Sequence, residues 1–304
     1  MTTTPTRQLW SVFESRRTSE YESGMDFIGL QTAYRSGKAL PMFNDYLERW
    51  SLKPDGKPII TATSKILPVR VDGLPAMLKI AVLDEEKRGG LLMIWWEGWG
   101  AARILAYGGD ALLMERAQDG LSLADLTHNG RDDEASRIIC AVLAQLHAPR
   151  NRPFPQLVPL THWFEPLYQT ADAHGGILRV SAAAASNLLK AQREIVVLHG
   201  DMHHGNVLNF GSRGWLAIDP KGLIGERYFD YANILCNPDE EAATAPGRLA
   251  RQASVIAEAS DLDRNRLLAW IVAWAGLSAA FLLVDGLPPE GALKFAELAA
   301  GLSG

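Results

Sequence analysis

His199, Asp201 and Asn206 stand in the order H-x-D-x-x-x-x-N within His-Gly-Asp-Met-His-His-Gly-Asn, and Asp219 closes the apolar run that follows. A positioned carboxylate such as Asp201 can orient an acceptor hydroxyl and take its proton. Five residues later Asn206 offers a neutral oxygen, and Asp219 offers a charged one, to a hard divalent cation such as Mg2+. Gly211, Ser212, Arg213 and Gly214 make a tight connection between the two apolar runs. The spacing therefore predicts two short strands that bring Asn206 and Asp219 together. This is the layout of a phosphoryl-transfer site, a kinase catalytic loop followed by a metal-binding aspartate.

The adjacent His203 and His204 invite a metal-hydrolase alternative, since zinc sites use clustered His and Asp. That alternative leaves Asn206 and Asp219 without a task. Packing and hydrogen bonding within the loop suit the two histidines better.

His199-Gly-Asp-Met-His-His-Gly-Asn206 and Trp215-Leu-Ala-Ile-Asp-Pro-Lys-Gly-Leu-Ile-Gly-Glu226 resemble the streptomycin 6-kinase branch of the aminoglycoside phosphotransferases, a group that includes hydroxyurea kinases. Asp-Pro-x-Gly in place of Asp-Phe-Gly is a feature of that branch, and Glu226, Asp230 and Asn233 also resemble it. The resemblance runs from about residue 45 to near the C-terminus. It implies an α+β, protein-kinase-like fold of two lobes, with ATP and Mg2+ as cofactors and a small-molecule acceptor. It divides the chain into an extension over residues 1–44, a small nucleotide-binding lobe over 45–117 and a mainly helical lobe over 118–304.

A kinase needs a lysine on a small-lobe strand to hold the nucleotide phosphates. Lys79 interrupts the apolar run Pro75-Ala-Met-Leu-Lys-Ile-Ala-Val, where a charge is costly unless paired. Its expected partner is Glu86 at the acidic start of the next helix, with Glu85 one position away as the alternative. Gly89 and Gly90 make that helix imperfect. In place of a glycine-rich phosphate loop stands Thr61-Ala-Thr-Ser-Lys-Ile66, where Ser64 and backbone amides could meet phosphate; a plain polar hairpin is the alternative. Ala111–Ala117 reads as the linker between lobes, with Glu115 and Ala117 bracketing backbone contacts to the base.

On the acceptor side, Glu226 and Asp230 join Asp201 as candidates, followed by Asp239 and Glu240; Asp230 could instead brace the catalytic loop. The formal net charge of −5 suits a cationic aminoglycoside and lacks the basic footprint of a nucleic-acid binder. Cys140 and Cys236 have no CxxC spacing and read as reduced core thiols of a cytoplasmic protein. The first thirty residues carry charges throughout and lack the apolar core of a signal peptide.

Among the supporting elements, Ala135, Ile138, Ile139, Val142, Leu143 and Leu146 follow a 3.6-residue period and predict a helix over 131–147 beneath the catalytic loop. An Ala-rich stretch predicts another over 181–193. Residues 151–160 hold several prolines and read as a connector. Leu267–Val284 has no charged residue and reaches the lower length bound of a membrane span. Its Ala and Gly content, and Trp270 and Trp274 on one face, favour a buried helix of the large lobe.

Three functions are consistent with these features: a streptomycin-type aminoglycoside kinase, a kinase of another hydroxylated metabolite or hydroxyurea-type compound, and a silent nucleotide-binding regulator. The complete set Lys79, Asp201, Asn206 and Asp219 argues against the third.

Overall fold

The computed structural model describes residues 41–118 and 120–302, so expectations for residues 1–40 lie outside the described residues. The chain opens with α1 (Pro41–Arg49), β1 (Lys53–Pro54), β2 (Ile59–Ile60), β3 (Ser64–Val71), β4 (Leu74–Ala81), α2 (Asp84–Trp96), β5 (Ile104–Gly108) and β6 (Ala111–Glu115). Next come α3 (Leu123–His128), α4 (Asp132–His147), β7 (Val158–Pro159), α5 (Leu160–Trp163), α6 (Glu165–His174), α7 (Ile177–Lys190) and β8 (Ile195–Leu198). The catalytic-loop hairpin is β9 (Val207–Asn209) and β10 (Trp215–Ala217). The remainder is β11 (Leu223–Glu226), α8 (Tyr228–Leu235), α9 (Glu240–Ala243), α10 (Arg248–Ser260), α11 (Arg264–Val284) and α12 (Glu290–Leu302).

The small lobe is a six-stranded antiparallel sheet in the order β1-β3-β4-β6-β5, with β2 on β3. Asp72-Gly73 joins β3 to β4, with Val71 opposite Leu74. Both turn residues have positive φ, 49° and 81°, as a two-residue hairpin matched to strand twist requires. Leu67, Val69, Ala76, Leu78, Ala111 and Leu113 form the lobe's core on one sheet face, and Phe43 of α1 packs into it. Sheet residues at alternate positions face that core because the side-chain period of a strand is two.

The large lobe is built around α11, which contacts α6, α7, α8, α10 and α12. This helix is long and apolar enough to cross a membrane by composition, with mean hydropathy 2.3, yet 83% of its apolar window is buried inside the lobe. Trp270 and Trp274 are both in that core, at 0% and 2% exposure. Each such large apolar side chain contributes roughly 1.5–3 kcal/mol on burial. A membrane-length apolar run is thus accounted for by a helix wrapped on all sides by other helices. Cys140 and Cys236 are free and buried, as core thiols are.

Three expected elements shift. The Ala-rich helix begins at Ile177 rather than Ser181, because Gly175 and Gly176 at φ 69° and 56° break the chain just before it, and Leu178 joins the core. It ends at Lys190, and Glu194 at φ 46° then turns the chain toward β8. The helix expected from Arg131 starts at Asp132, with Arg131 as its cap. The stretch 111–117 is mostly strand: β6 pairs with both β4 and β5 as far as Glu115, so the crossing between lobes begins at Arg116.

Candidate active site

The catalytic loop leaves the end of β8, which pairs with β11 so that Leu198 lies opposite Leu223. Gly200 makes the first bend at φ 86°, where a Cβ would come within 2.9 Å of the Leu223 side chain. His199 is fully buried; its Nε2–H donates to the Ile218 carbonyl at 2.8 Å, and its Nδ1 accepts from the Asp201 amide at 3.2 Å. This pattern needs the neutral ring, and burial pushes its pKa down to match. Asn206 donates its amide nitrogen to the Asp201 carbonyl at 2.8 Å, which turns the amide oxygen the other way. The β9–β10 hairpin pairs Val207 with Ala217, and the Ile218 amide donates to the Asn206 carbonyl at 2.9 Å. Asn206 and Asp219 are therefore brought together by the hairpin, as the spacing requires. Asp219 adopts φ 61°, a left-handed conformation that Asp tolerates better than most residues.

One face of α8 holds this loop in place. Asp230, fully buried, accepts from the His199 amide at 2.9 Å, the Gly200 amide at 2.8 Å and His147 at 2.8 Å. Three residues later, Asn233 donates to Asp201 Oδ1 at 3.0 Å and is itself contacted by the Asn237 amide. Asp230 is thus a brace of the catalytic loop, and its expected place on the acceptor wall is corrected: every lone pair used here points to the loop backbone and His147. Glu226 is corrected likewise. It is 0% exposed and receives Arg266, the Trp270 indole N–H and the Arg193 amide. It pairs with Ile195 at the far end of β11 from the catalytic loop, so it locks α11 to the β8–β11 sheet. Asp239 caps α9 through the Ala242 amide and meets His128 at 2.6 Å.

Across the cleft, Lys79 is buried on β4. Its Nζ meets Glu86 Oε2 at 2.5 Å and also the Asp219 carboxylate. Glu86, not Glu85, is therefore the partner. Burial acts to lower the Lys79 pKa, but the Asp219 and Glu86 charges override it and the pKa ends up raised. Against its own desolvation, Lys79 and Lys221 hold the Asp219 carboxyl below the usual carboxylate range. Helix α2 reaches this network because of the glycines that weaken it as a helix. A Cβ on Gly89 would stand 2.1 Å from the Pro220 carbonyl oxygen, so only glycine lets α2 lie against the loop after Asp219. At its other end, Trp96 stacks on His199 with ring centroids 6.2 Å apart.

Two residues left without a role by the sequence reading matter here. Asn233 orients the Asp201 carboxylate; its three-residue spacing from Asp230 on one helix was the available signal. Lys221 is buried and lies 3.4 Å from Glu85 and 3.6 Å from Glu86. A lysine between Pro220 and Gly222, in a stretch otherwise apolar, was a signal of the same kind as Lys79.

The remaining candidates lie at the cleft edges. Ser64 begins β3; its amide and that of Thr63 donate to the Thr61 hydroxyl at 3.0 and 3.3 Å, so the loop is a self-bonded turn. Glu115 donates its amide to the Arg103 carbonyl, and its carboxylate takes the Arg103 amide and Arg213. Arg213 also reaches the Gly98 carbonyl, and the Gln118 amide donates to the Asn209 carbonyl at 2.8 Å. The crossing segment is thereby pinned to the catalytic hairpin, with Ala117 packed against the large core. Among the described residues no three His, Cys, Asp or Glu side chains converge as a metal site. His203 spends Nδ1 on the Gly205 amide, and His204 is buried. The donor set that does converge, one amide and one carboxylate oxygen beside a base and a buried lysine, fits a hard cation carried by phosphates.

The family model described as aminoglycoside/hydroxyurea antibiotic resistance kinase matches residues 49–286. A streptomycin 3''-kinase of Klebsiella pneumoniae is 51% identical over 245 residues, covering 79% of this chain and 92% of that one. A hydroxyurea phosphotransferase of Kitasatospora aureofaciens is 32% identical, covering 86% and 78%, and a streptomycin 6-kinase of Streptomyces griseus is 31% identical, covering 79% and 82%. Among solved structures, a thermostable aminoglycoside phosphotransferase APH(4)-Ia with ADP and hygromycin B has TM-score 0.62 at 15% identity, covering 87% of this chain and 98% of that one. A choline kinase from Cryptosporidium parvum has TM-score 0.57 at 12% identity, covering 86% and 91%. These two share the fold.

Proposed function

The chain belongs to the aminoglycoside/hydroxyurea antibiotic resistance kinase family, and on that premise we propose that it transfers the γ-phosphoryl group of ATP to the 3''-hydroxyl of streptomycin. It is an O-phosphotransferase with a protein-kinase-like fold; the acceptor, its position and the metal are the proposal. The observation that carries the phosphotransfer chemistry is buried Lys79, which joins buried Glu86 of α2 to the half-buried Asp219 of the metal loop. The position rests on identity: 51% to the 3''-kinase against 31% to the 6-kinase.

Asn233 fixes one oxygen of the Asp201 carboxylate, so the base is oriented before the acceptor arrives. Asp201 aligns the hydroxyl and takes its proton as the phosphoryl group transfers. Lys79, kept charged by its two carboxylates, is the cation that meets the nucleotide phosphates. Asn206 and Asp219 would hold Mg2+, which supplies neutralisation of phosphate charge. Catalysis of this kind is chiefly positioning and electrostatics. With ATP as co-substrate, the cytoplasm is the compartment we assign.

Purified protein with Mg2+ and ATP, assayed for ADP release, should turn over streptomycin, and phosphorus–proton NMR of the product should place the phosphate at the 3'' position. Phosphate at the 6 position would overturn the regiochemistry. Robust transfer to hydroxyurea with none to streptomycin would favour the second acceptor, which the hydroxyurea phosphotransferase relative supports. Streptomycin is cationic, so its Michaelis constant should rise with salt; at about 0.15 M the screening length is about 8 Å.

A further inference from the structure

Lys221 stands two residues past Asp219, and its side chain is 4% exposed. Its amide donates to the His199 carbonyl at 2.7 Å, which ties this point of the chain to the catalytic loop. Its ammonium lies 3.4 Å from Glu85 Oε1 and 3.6 Å from Glu86 Oε1 of α2. Glu86 thus divides its carboxylate: Oε2 goes to Lys79 and Oε1 to Lys221. Two buried ammonium groups, Lys79 and Lys221, thus share the one Glu86 carboxylate, with Glu85 beside Lys221 and Asp219 beside Lys79.

We propose that Lys221 is a second lysine of the nucleotide site, a positioning residue that acts through Glu86. By occupying Oε1 it fixes the rotamer of Glu86 and divides its charge, so that Lys79 is held in place without being captured. Without Lys221, Glu86 and Asp219 together would outbid a nucleotide phosphate for Lys79. The same contact joins α2 to the loop after Asp219, beside the close approach of Gly89 to Pro220. This proposal rests on the phosphotransferase reading above.

The test is calorimetric binding of ADP without metal, using the full chain. The parent should bind ADP without metal; if it binds ADP neither without nor with Mg2+, the nucleotide reading itself fails, and binding only with Mg2+ would overturn the role given to the two lysines. Lys221→Met should weaken metal-free ADP about tenfold, the scale of one lost charge-assisted hydrogen bond. Lys221→Arg should recover most of that loss, and the acceptor Michaelis constant should move less than about twofold in both, within the spread of an untouched contact. Glu85→Gln should shift ADP affinity the opposite way, tightening it about twofold, because Lys221 then gives more of its charge to Glu86. A parent that binds ADP, beside a folded Lys221→Met of equal affinity, would overturn the proposal. So would an Arg variant as weak as Met. If the Met variant does not fold, weaker ADP binding by Glu85→Gln would overturn it equally.

Discussion

Asp201 is held by groups that do no chemistry themselves. Its carboxylate is met by Asn233, its amide by the His199 ring and its carbonyl by the Asn206 side chain. Asp201→Ala should therefore remove the base and leave the scaffold. Turnover should fall by roughly 10²–10⁴, the range for a positioned acid–base group, with ATP affinity little changed. Steady-state kinetics with a separate ATP binding titration checks both halves. Glu226 makes the contrasting case. Glu226→Ala strands the Arg266 guanidinium, the Trp270 indole and the Arg193 amide, and should cost about 3–5 kcal/mol in urea unfolding. The acceptor Michaelis constant of the folded fraction should not move; a rise with stability intact would return Glu226 to the acceptor wall. Single residues of fixed spacing, such as Asp201, Asn206 and Lys79, were legible because their chemistry demands their type. Glu226 was misplaced, and Asp230 was left between two roles, because an acid near the site in sequence looks the same whether it faces a ligand or braces the scaffold.

Helices α2 and α8 are the elements that turn these residues into a site. Sequence patterning found α2 from its acidic start and took its glycines as defects. Their use appears only when the loop after Asp219 is packed on the helix. Gly89→Ala sets two effects against each other. Alanine favours the helix by about 1 kcal/mol, but overpacking against backbone costs about 1–3 kcal/mol and here meets a carbonyl that cannot swing aside. The clash should win: a lowered melting temperature and a raised Michaelis constant for ATP. Gly90→Ala is the control, since its Cβ would meet the Leu112 side chain, which can rotate, and its effect should be smaller. The Ala-rich helix was legible in kind and displaced by four residues at its start. Helix propensity set its middle, and the Gly175-Gly176 break, which propensity does not weigh against Leu178 reaching the core, set its beginning.

For the whole molecule, the two-lobe division was legible from the resemblance. The partition of the interior was not. Burial also leaves a pH signature. His199 and His204 are buried with pKa values pushed below the unfolded value of 6.5, chiefly by desolvation, and among the described residues His204 has no hydrogen-bond partner on either ring nitrogen. Above pH 6.5 both states carry these rings neutral, and their stabilising share is complete. Below it the unfolded chain takes up protons that the folded one refuses, so stability falls as pH drops, at most by about 1.4 kcal/mol per unit for a ring that stays neutral in the folded state. Urea midpoints from pH 7.5 to about 5 should show that slope, and His204→Gln should reduce it.

Helix α2 precedes β5 and β6 in the chain, but Leu92, Met93, Trp95 and Trp96 are embedded in the large-lobe interior, while the sheet closes on its own separate set around Leu78 and Leu113. Cooperative opening follows shared interior rather than chain order. In native-state hydrogen exchange, the amides of α2 should therefore exchange in step with those of α4 and α11, and the sheet should open in a separate event at lower free energy. Lys79 and Glu86 would then sit on opposite sides of a boundary between two unfolding units. The nucleotide, by clasping that boundary, should slow exchange in the sheet far more than in α2.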